Sequence, residues 1–152
     1  MNICLSSLSM EWRTPPEVFK PLNDEFHFAL DVASNENNHL TDKFFTTKDN
    51  GLMQSWRCDG AVWCNPPYGR QIGKWVEKAY RESQKTKFPI VMLIPARTDT
   101  RWFHDYILNK ADIRFVRGRI QFLDENGNKH SNSTFPSMIV IYNFLRKGVN
   151  VK

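Results

Sequence analysis

Apolar and polar positions along this chain follow two periods, and the switches between them mark out the elements. Val18, Phe19, Leu22 and Phe26 recur at helical spacing, which predicts an amphipathic helix. Thr14 is placed to be its N-cap and Pro15 its first helical residue, while Pro21 is placed to shorten or kink it. Phe26 to Val32 alternates with period two and ends on Asp31 and small residues, as a strand finishing in a polar turn does. Residues 34–43, with Asn35, Asn37 and Asn38, read as loop. Lys43 to Thr47 fits a short strand, and Asp49-Asn50-Gly51 is a turn signal.

Gly60 to Cys64 leads an apolar strand into Asn65-Pro66-Pro67-Tyr68. Ile72, Trp75, Val76, Ala79 and Tyr80 return to helical spacing, with Lys74, Lys78, Arg81 and Lys85 elsewhere on the surface. Pro89 to Pro95 is continuously apolar, typical of a parallel strand covered on both faces. Asp99 is placed to cap a helix carrying Trp102, Phe103, Tyr106 and Ile107. Ile113–Phe122 and Ser137–Tyr142 read as two final strands joined by a polar loop over 124–136. Residues 1–11 lack a clear period and read as a loose arm or a short edge segment.

This order predicts one α/β domain over residues 1–152 with a mostly parallel sheet and no separate recognition domain. Ligands of such sheets sit beyond the carboxyl ends of the strands, where the turns after Leu30, Cys64 and Ile94 all fall.

Composition adds a partner class and removes others. The net charge of +5 suits a polyanion, and 11 Phe, 5 Trp and 4 Tyr supply many flat surfaces. Cys4, Cys58 and Cys64 have neither a paired framework nor metal-ligand spacing, and the four His show no metal geometry either. No segment approaches the roughly 18 apolar residues of a membrane span, and the start is not a secretory signal, so a soluble, cytoplasmic chain with no membrane partner is expected.

The chemistry concentrates in Asn65-Pro66-Pro67-Tyr68. The exocyclic amine of adenine is a poor nucleophile because its lone pair is delocalised into the ring. Two acceptors holding both amine hydrogens draw that pair out of conjugation. Asn65 offers a side-chain carbonyl and Pro66 a backbone carbonyl, and the paired prolines hold the backbone extended. Tyr68 offers a ring on which a flipped base stacks. Cytosine N4, an RNA base or a protein glutamine amide presents a similar planar amine, so those acceptors stay open. Arg70, Lys74, Arg97, Arg101, Arg117 and Arg119 lie near the same edge, where they fit phosphates or a guanine edge; Arg97 and Arg119 rank highest.

The chain resembles the compact phage-type, Dam-like DNA adenine-N6 methyltransferases from Trp12 onward. The likeness rests on Trp12-x-Thr14-Pro15, Leu30-Asp31-Val32-Ala33, Asp49-x-Gly51-Leu52, Asn65-Pro66-Pro67-Tyr68-Gly69-Arg70, Pro95 to His104, Gly118-Arg119-x-x-Phe122 and Phe135-Pro136-Ser137. It implies a reduced Rossmann-like class I methyltransferase fold, S-adenosyl-L-methionine as cofactor, double-stranded DNA as substrate, and a bacterial host's cytoplasm as location. It implies catalytic roles for Asn65, Pro66, Pro67 and Tyr68, and a cofactor pocket drawn from Thr14, Pro15, Asp31, Ala33, Ser34 and Asn65. Asp49 is a candidate for the ribose hydroxyls, with a turn aspartate as the competing reading. DNA contacts fall to Arg70, Arg97, Arg101 and Arg119, and sequence readout to the loops 98–101 and 121–136 or to a second subunit of a homodimer.

Two departures stand out. No glycine follows the first strand, and only 34 positions separate Asp31 from Asn65, so the cofactor pocket must be built differently. A DNA-binding module without catalysis therefore remains a competing reading.

Overall fold

The computed structural model describes residues 12–144. Five strands form one sheet: β1 (Phe28–Asp31), β2 (Ala61–Cys64), β3 (Ile90–Pro95), β4 (Asp112–Phe115) and β5 (Ser137–Tyr142). Their order across the sheet is β1-β2-β3-β5-β4. β1, β2 and β3 are mutually parallel, and β5 is antiparallel to both β3 and β4, so four of the five strands point the same way. The mostly parallel α/β expectation holds, with β5 reversed.

Strict alternation builds a core on each face. Val62, Cys64, Met92, Ile94, Met138 and Val140 pack under helix α2 (Ile72–Ser83) and the short helix α3 (Arg101–Tyr106). Ala61, Trp63, Val91, Leu93, Ile139 and Ile141 meet Phe19, Leu22 and Phe26 of helix α1 (Pro16–Phe26), together with Ile120 and Phe122. Every residue of β2, β3 and β5 is buried, which explains why these strands are apolar on both faces.

Local capping departs from the sequence expectations. α1 begins at Pro16, with Pro15 rather than Thr14 at the N-cap, and Pro15 lends its carbonyl to the Val18 and Phe19 amides. Pro21 lies inside α1 without ending it. Thr100, not Asp99, caps α3: its hydroxyl oxygen accepts from the Phe103 amide. The strand expected over 113–122 stops at Phe115, and the chain then turns at Gly118 with φ of 76°. Lys43–Thr47 is not a strand; Phe44 makes one isolated parallel bridge to Asp31 beside β1. The arm expected over residues 1–11 lies outside the described residues.

The parallel strands aim the turns after Asp31, Cys64 and Pro95 at one edge. β4 runs with them, and β5 runs against them, so residues 116–119 leave and residues 133–136 arrive at that same edge.

Candidate active site

A cavity of about 790 Å³ opens at this carboxyl edge, within the size range of small-molecule sites. Thr14, Asp31, Ala33, Ser34, Asn65, Pro66 and Pro67 all line it. Residues about fifty positions apart in sequence are brought together because β1 and β2 are neighbours and the segment before α1 crosses their ends.

Asn65 leaves the end of β2, and its amide is oriented from below. Nδ2 donates to the carbonyl oxygen of Trp12 at 2.6 Å and to Thr14 Oγ1 at 3.0 Å. A backbone carbonyl only accepts, so Trp12 fixes which end of the amide is nitrogen. Oδ1 is consequently the free end, buried and without a hydrogen-bond partner. A buried acceptor left bare costs free energy unless a ligand supplies the donor.

Asp31 ends β1 and is 2% exposed. Its carboxylate accepts from the Leu40 amide at 3.0 Å and the Ala33 amide at 3.3 Å, which closes the turn after β1. Burial outweighs those bonds and pushes its carboxyl up to about 6. Ser34 ties the same turn to the next segment, donating its hydroxyl to the Phe45 carbonyl at 3.2 Å. Asn35 and Asn38 brace the far wall by accepting from each other's amides.

A glycine from further along the chain packs against the turn after β1. Gly51 opens the 3-10 turn Gly51–Met53 and lines the cavity. A Cβ there would stand 2.3 Å from the Val32 carbonyl oxygen and 3.0 Å from the Trp75 ring. The Gly51 carbonyl accepts from Trp56 Nε1 at 2.8 Å, and the Trp56 amide donates to Glu82 Oε1 at 2.8 Å, so the wall is anchored to α2. Sequence reading found the Asp49-Asn50-Gly51 turn but not this role, because only the fold puts Gly51 against Val32.

Three expected cofactor or catalytic residues lie off the cavity lining. Asp49 is exposed, with Oδ2 accepting from the Thr46 amide at 2.8 Å, while its neighbours Thr46, Thr47 and Asn50 do line the cavity. Pro15 is buried beneath it. Tyr68 donates its hydroxyl to the Leu93 carbonyl at 2.9 Å and meets Phe122 and Phe135 edge to face. Burial raises the Tyr68 phenol well above its ordinary range, which keeps it a donor. Burial likewise raises the Cys64 thiol, with the Asp31 carboxylate adding to the effect, as suits a packed thiol rather than a nucleophile.

Residues missed from sequence complete the rim. Trp12 packs against Phe122, Phe135 and His130, and Arg13 exchanges backbone hydrogen bonds with Leu123. The Arg13 guanidinium bonds the carbonyls of Asn37 at 3.1 Å on one side of the cavity and Glu125 at 2.8 Å on the other. Arg70, Arg97, Arg101, Arg117 and Arg119 are exposed around the same edge, outside the cavity, and none has an acidic partner among the described residues. No described helix is long and apolar enough to cross a membrane.

The chain is similar to two phage proteins. It is 33% identical over 123 residues to a DNA N-6-adenine-methyltransferase of Escherichia phage T1, covering 80% of this chain and 50% of that protein. It is 30% identical over 135 residues to the DNA N-6-adenine-methyltransferase of Haemophilus phage HP1 (strain HP1c1), covering 86% of this chain and 77% of that one. The chain thus spans about half the length of the T1 relative. The family described as DNA N-6-adenine-methyltransferase (Dam) matches residues 4–151, and the chain belongs to that family.

Proposed function

We propose that the chain transfers a methyl group from S-adenosyl-L-methionine to the N6 amine of adenine in DNA. The observation that carries this reading is Asn65 Oδ1: a buried, oriented acceptor with no partner, in a cavity lined by Asp31 and Gly51. The family and the names of both phage relatives favour adenine in DNA over cytosine N4, RNA or a glutamine amide. An active enzyme is favoured over an inactive module because Asp31, Asn65 and Gly51 all line one cavity at the carboxyl edge of the sheet.

When bound, S-adenosyl-L-methionine supplies an electrophilic methyl on a sulfonium whose sulfur leaves as a neutral thioether. The chain's part is alignment and charge. Thr14, Asp31, Ala33 and Ser34 form the cofactor side, where buried Asp31 in its ionised form faces a cationic ligand. Asn65 Oδ1 and the Pro66 carbonyl accept the two amine hydrogens and free the nitrogen lone pair. These acceptors strengthen as nitrogen becomes positive, which favours the transition state over bound substrate. One amine proton is then released to water. Tyr68 lies off the cavity lining, half-buried and locked by its hydroxyl, so any stacking of the flipped base on its ring takes place beside the cavity rather than within it. The exposed arginines Arg70, Arg97, Arg101 and Arg119 hold phosphates, and loops 98–101 and 121–136 read sequence.

The test is transfer of radiolabelled methyl from S-adenosyl-L-methionine to unmethylated mixed-sequence DNA, with N6-methyladenine as the expected product. No incorporation at saturating cofactor overturns the proposal. Sequencing modified adenines in plasmid from expressing cells then reports the target site.

A further inference from the structure

An adenine that leaves the stack opens a gap in the duplex, and something must occupy or brace it while the base is out. A residue suited to this is flat or apolar, exposed, and set on the DNA-facing edge among phosphate-binding cations. Among the described large apolar residues Met53, Leu108 and Phe115 are exposed, and of these Phe115, at 66%, is the one flat ring, the shape that stacks between bases.

Its position follows from the sheet. Phe115 is the last residue of β4 and stands opposite Met138, which in turn stands opposite Ile94. Directly paired residues share a face, so Phe115 points to the α2 and α3 side, one rung below the carboxyl edge. The next amide, Val116, donates to the Ser137 carbonyl at 3.0 Å, and the chain then leaves the sheet through Arg117-Gly118-Arg119. Those two arginines are exposed, have no acidic partner among the described residues, and flank a glycine at φ of 76°. By contrast Arg114, on the opposite face of β4, is spent on Glu25 through two bonds of 2.8 and 2.7 Å. β4 lies three strands from β2, which at about 4.8 Å per strand puts Phe115 roughly 14 Å across from the Asn65 strand. That span is comparable to the roughly 12 Å width of a major groove, so one duplex can meet both.

We infer that Phe115, steadied by Arg117 and Arg119 on the neighbouring phosphates, is the wedge that enters the duplex when the adenine turns out toward Asn65. The inference rests on the methyltransferase reading above. An exposed apolar ring flanked by unpaired cations complements a polyanion with a stacked interior better than it complements a second copy of this chain, whose net charge is +5.

The experiment compares wild type, Phe115→Ala and Phe115→Trp on two duplexes that share the target site found by plasmid sequencing. One is fully paired; the other has an abasic position opposite the target adenine, so the base is already loosened. We expect Phe115→Ala to slow methylation of the paired duplex at least tenfold and of the abasic duplex less than twofold, with Phe115→Trp near wild type on both. Because Phe115 is exposed, its loss leaves the core intact, and an unchanged melting temperature checks this. Equal rates for Phe115→Ala and wild type on the paired duplex overturn the wedge and leave the activity standing. An equal loss on both duplexes also overturns it, as does a change from dimer to monomer with rates unaltered. A wild type inactive on both duplexes sinks the methyltransferase reading, and the wedge with it.

Discussion

Thr14 Oγ1 lies 3.0 Å from Asn65 Nδ2, so a residue ahead of α1 steers the side chain that ends β2. With the Trp12 carbonyl at 2.6 Å it spends the donor end of the amide and leaves Oδ1 for substrate. Replacing Asn65 by Ala should therefore cost about 10²-fold or more in turnover, the usual toll for one aimed polar group. Cofactor affinity should change only a few-fold. Single-turnover transfer and calorimetric titration check the two halves separately, and near-normal turnover would remove Asn65 from the acceptor role.

Thr14→Val should act on the same group indirectly. It deletes one neutral hydrogen bond, about 0.5–1.5 kcal/mol, and so lowers kcat by roughly two- to tenfold. Thr14→Ser keeps the oxygen and should restore most of the rate. Equal rates for the Val and Ser variants would show that the Trp12 carbonyl alone suffices.

Gly51→Ala should close the cofactor wall, because the added methyl would stand 2.3 Å from a backbone oxygen that has no rotamer to escape into. A cost of about 1–3 kcal/mol in stability is expected. Loss of cofactor binding should exceed it, since a wall that backs away from Val32 moves into the cavity. Chemical denaturation and calorimetry on the same sample tell the two apart; unchanged binding would mean that the wall tolerates the shift.

Asp31 predicts a pH dependence whose sign is fixed by its burial. Its carboxyl is raised to about 6 in the folded protein against about 3.9 in an unfolded chain. The folded state thus holds this proton between roughly pH 4 and 6, and Asp31's contribution to folding is present below pH 4 and lost as pH rises through 6. Cofactor binding runs the other way, since a cationic ligand pairs with the ionised form. Affinity should fall about tenfold from pH 7 to pH 5, with proton release at the low end. In Asp31→Asn the titration curve should flatten, and a wild-type affinity that does not vary with pH would take Asp31 out of cofactor binding.

Arg97 and Arg119 predict a salt effect. If each holds one phosphate, replacing either by Ala should reduce the slope of log affinity against log salt by about 1, with little change in sequence preference. Fluorescence anisotropy from low to moderate salt measures it, and an unaltered slope would leave that arginine a solvated surface charge.

Much of the frame was legible because periodicity and burial speak directly in sequence. β2, β3, β5 and α2 are continuous apolar runs or clear helical stripes, and the structure places them where those patterns put them. Caps were read less well. Thr14 and Asp99 both carry the right chemistry for an N-cap, yet Pro15 and Thr100 occupy those positions. A cap depends on the local φ and ψ of a single residue, and composition does not specify them. Least legible were contacts between distant segments. Nothing near Gly51 in sequence points to Val32, and only the family resemblance, not any local pattern, joined Thr14 to Asn65. Both meetings depend on the order of strands in the sheet.

Arg13 has a mechanical consequence. One guanidinium spans the carbonyls of Asn37 and Glu125, so the loops on either side of the cavity mouth are riveted to each other as well as to the sheet. Neither loop can swing outward alone without breaking a charge-assisted bond, and those bonds are the stronger kind. The width of the mouth is therefore shared between the loop beside Asp31 and the loop expected to read DNA. A shift imposed on one is a load on the other.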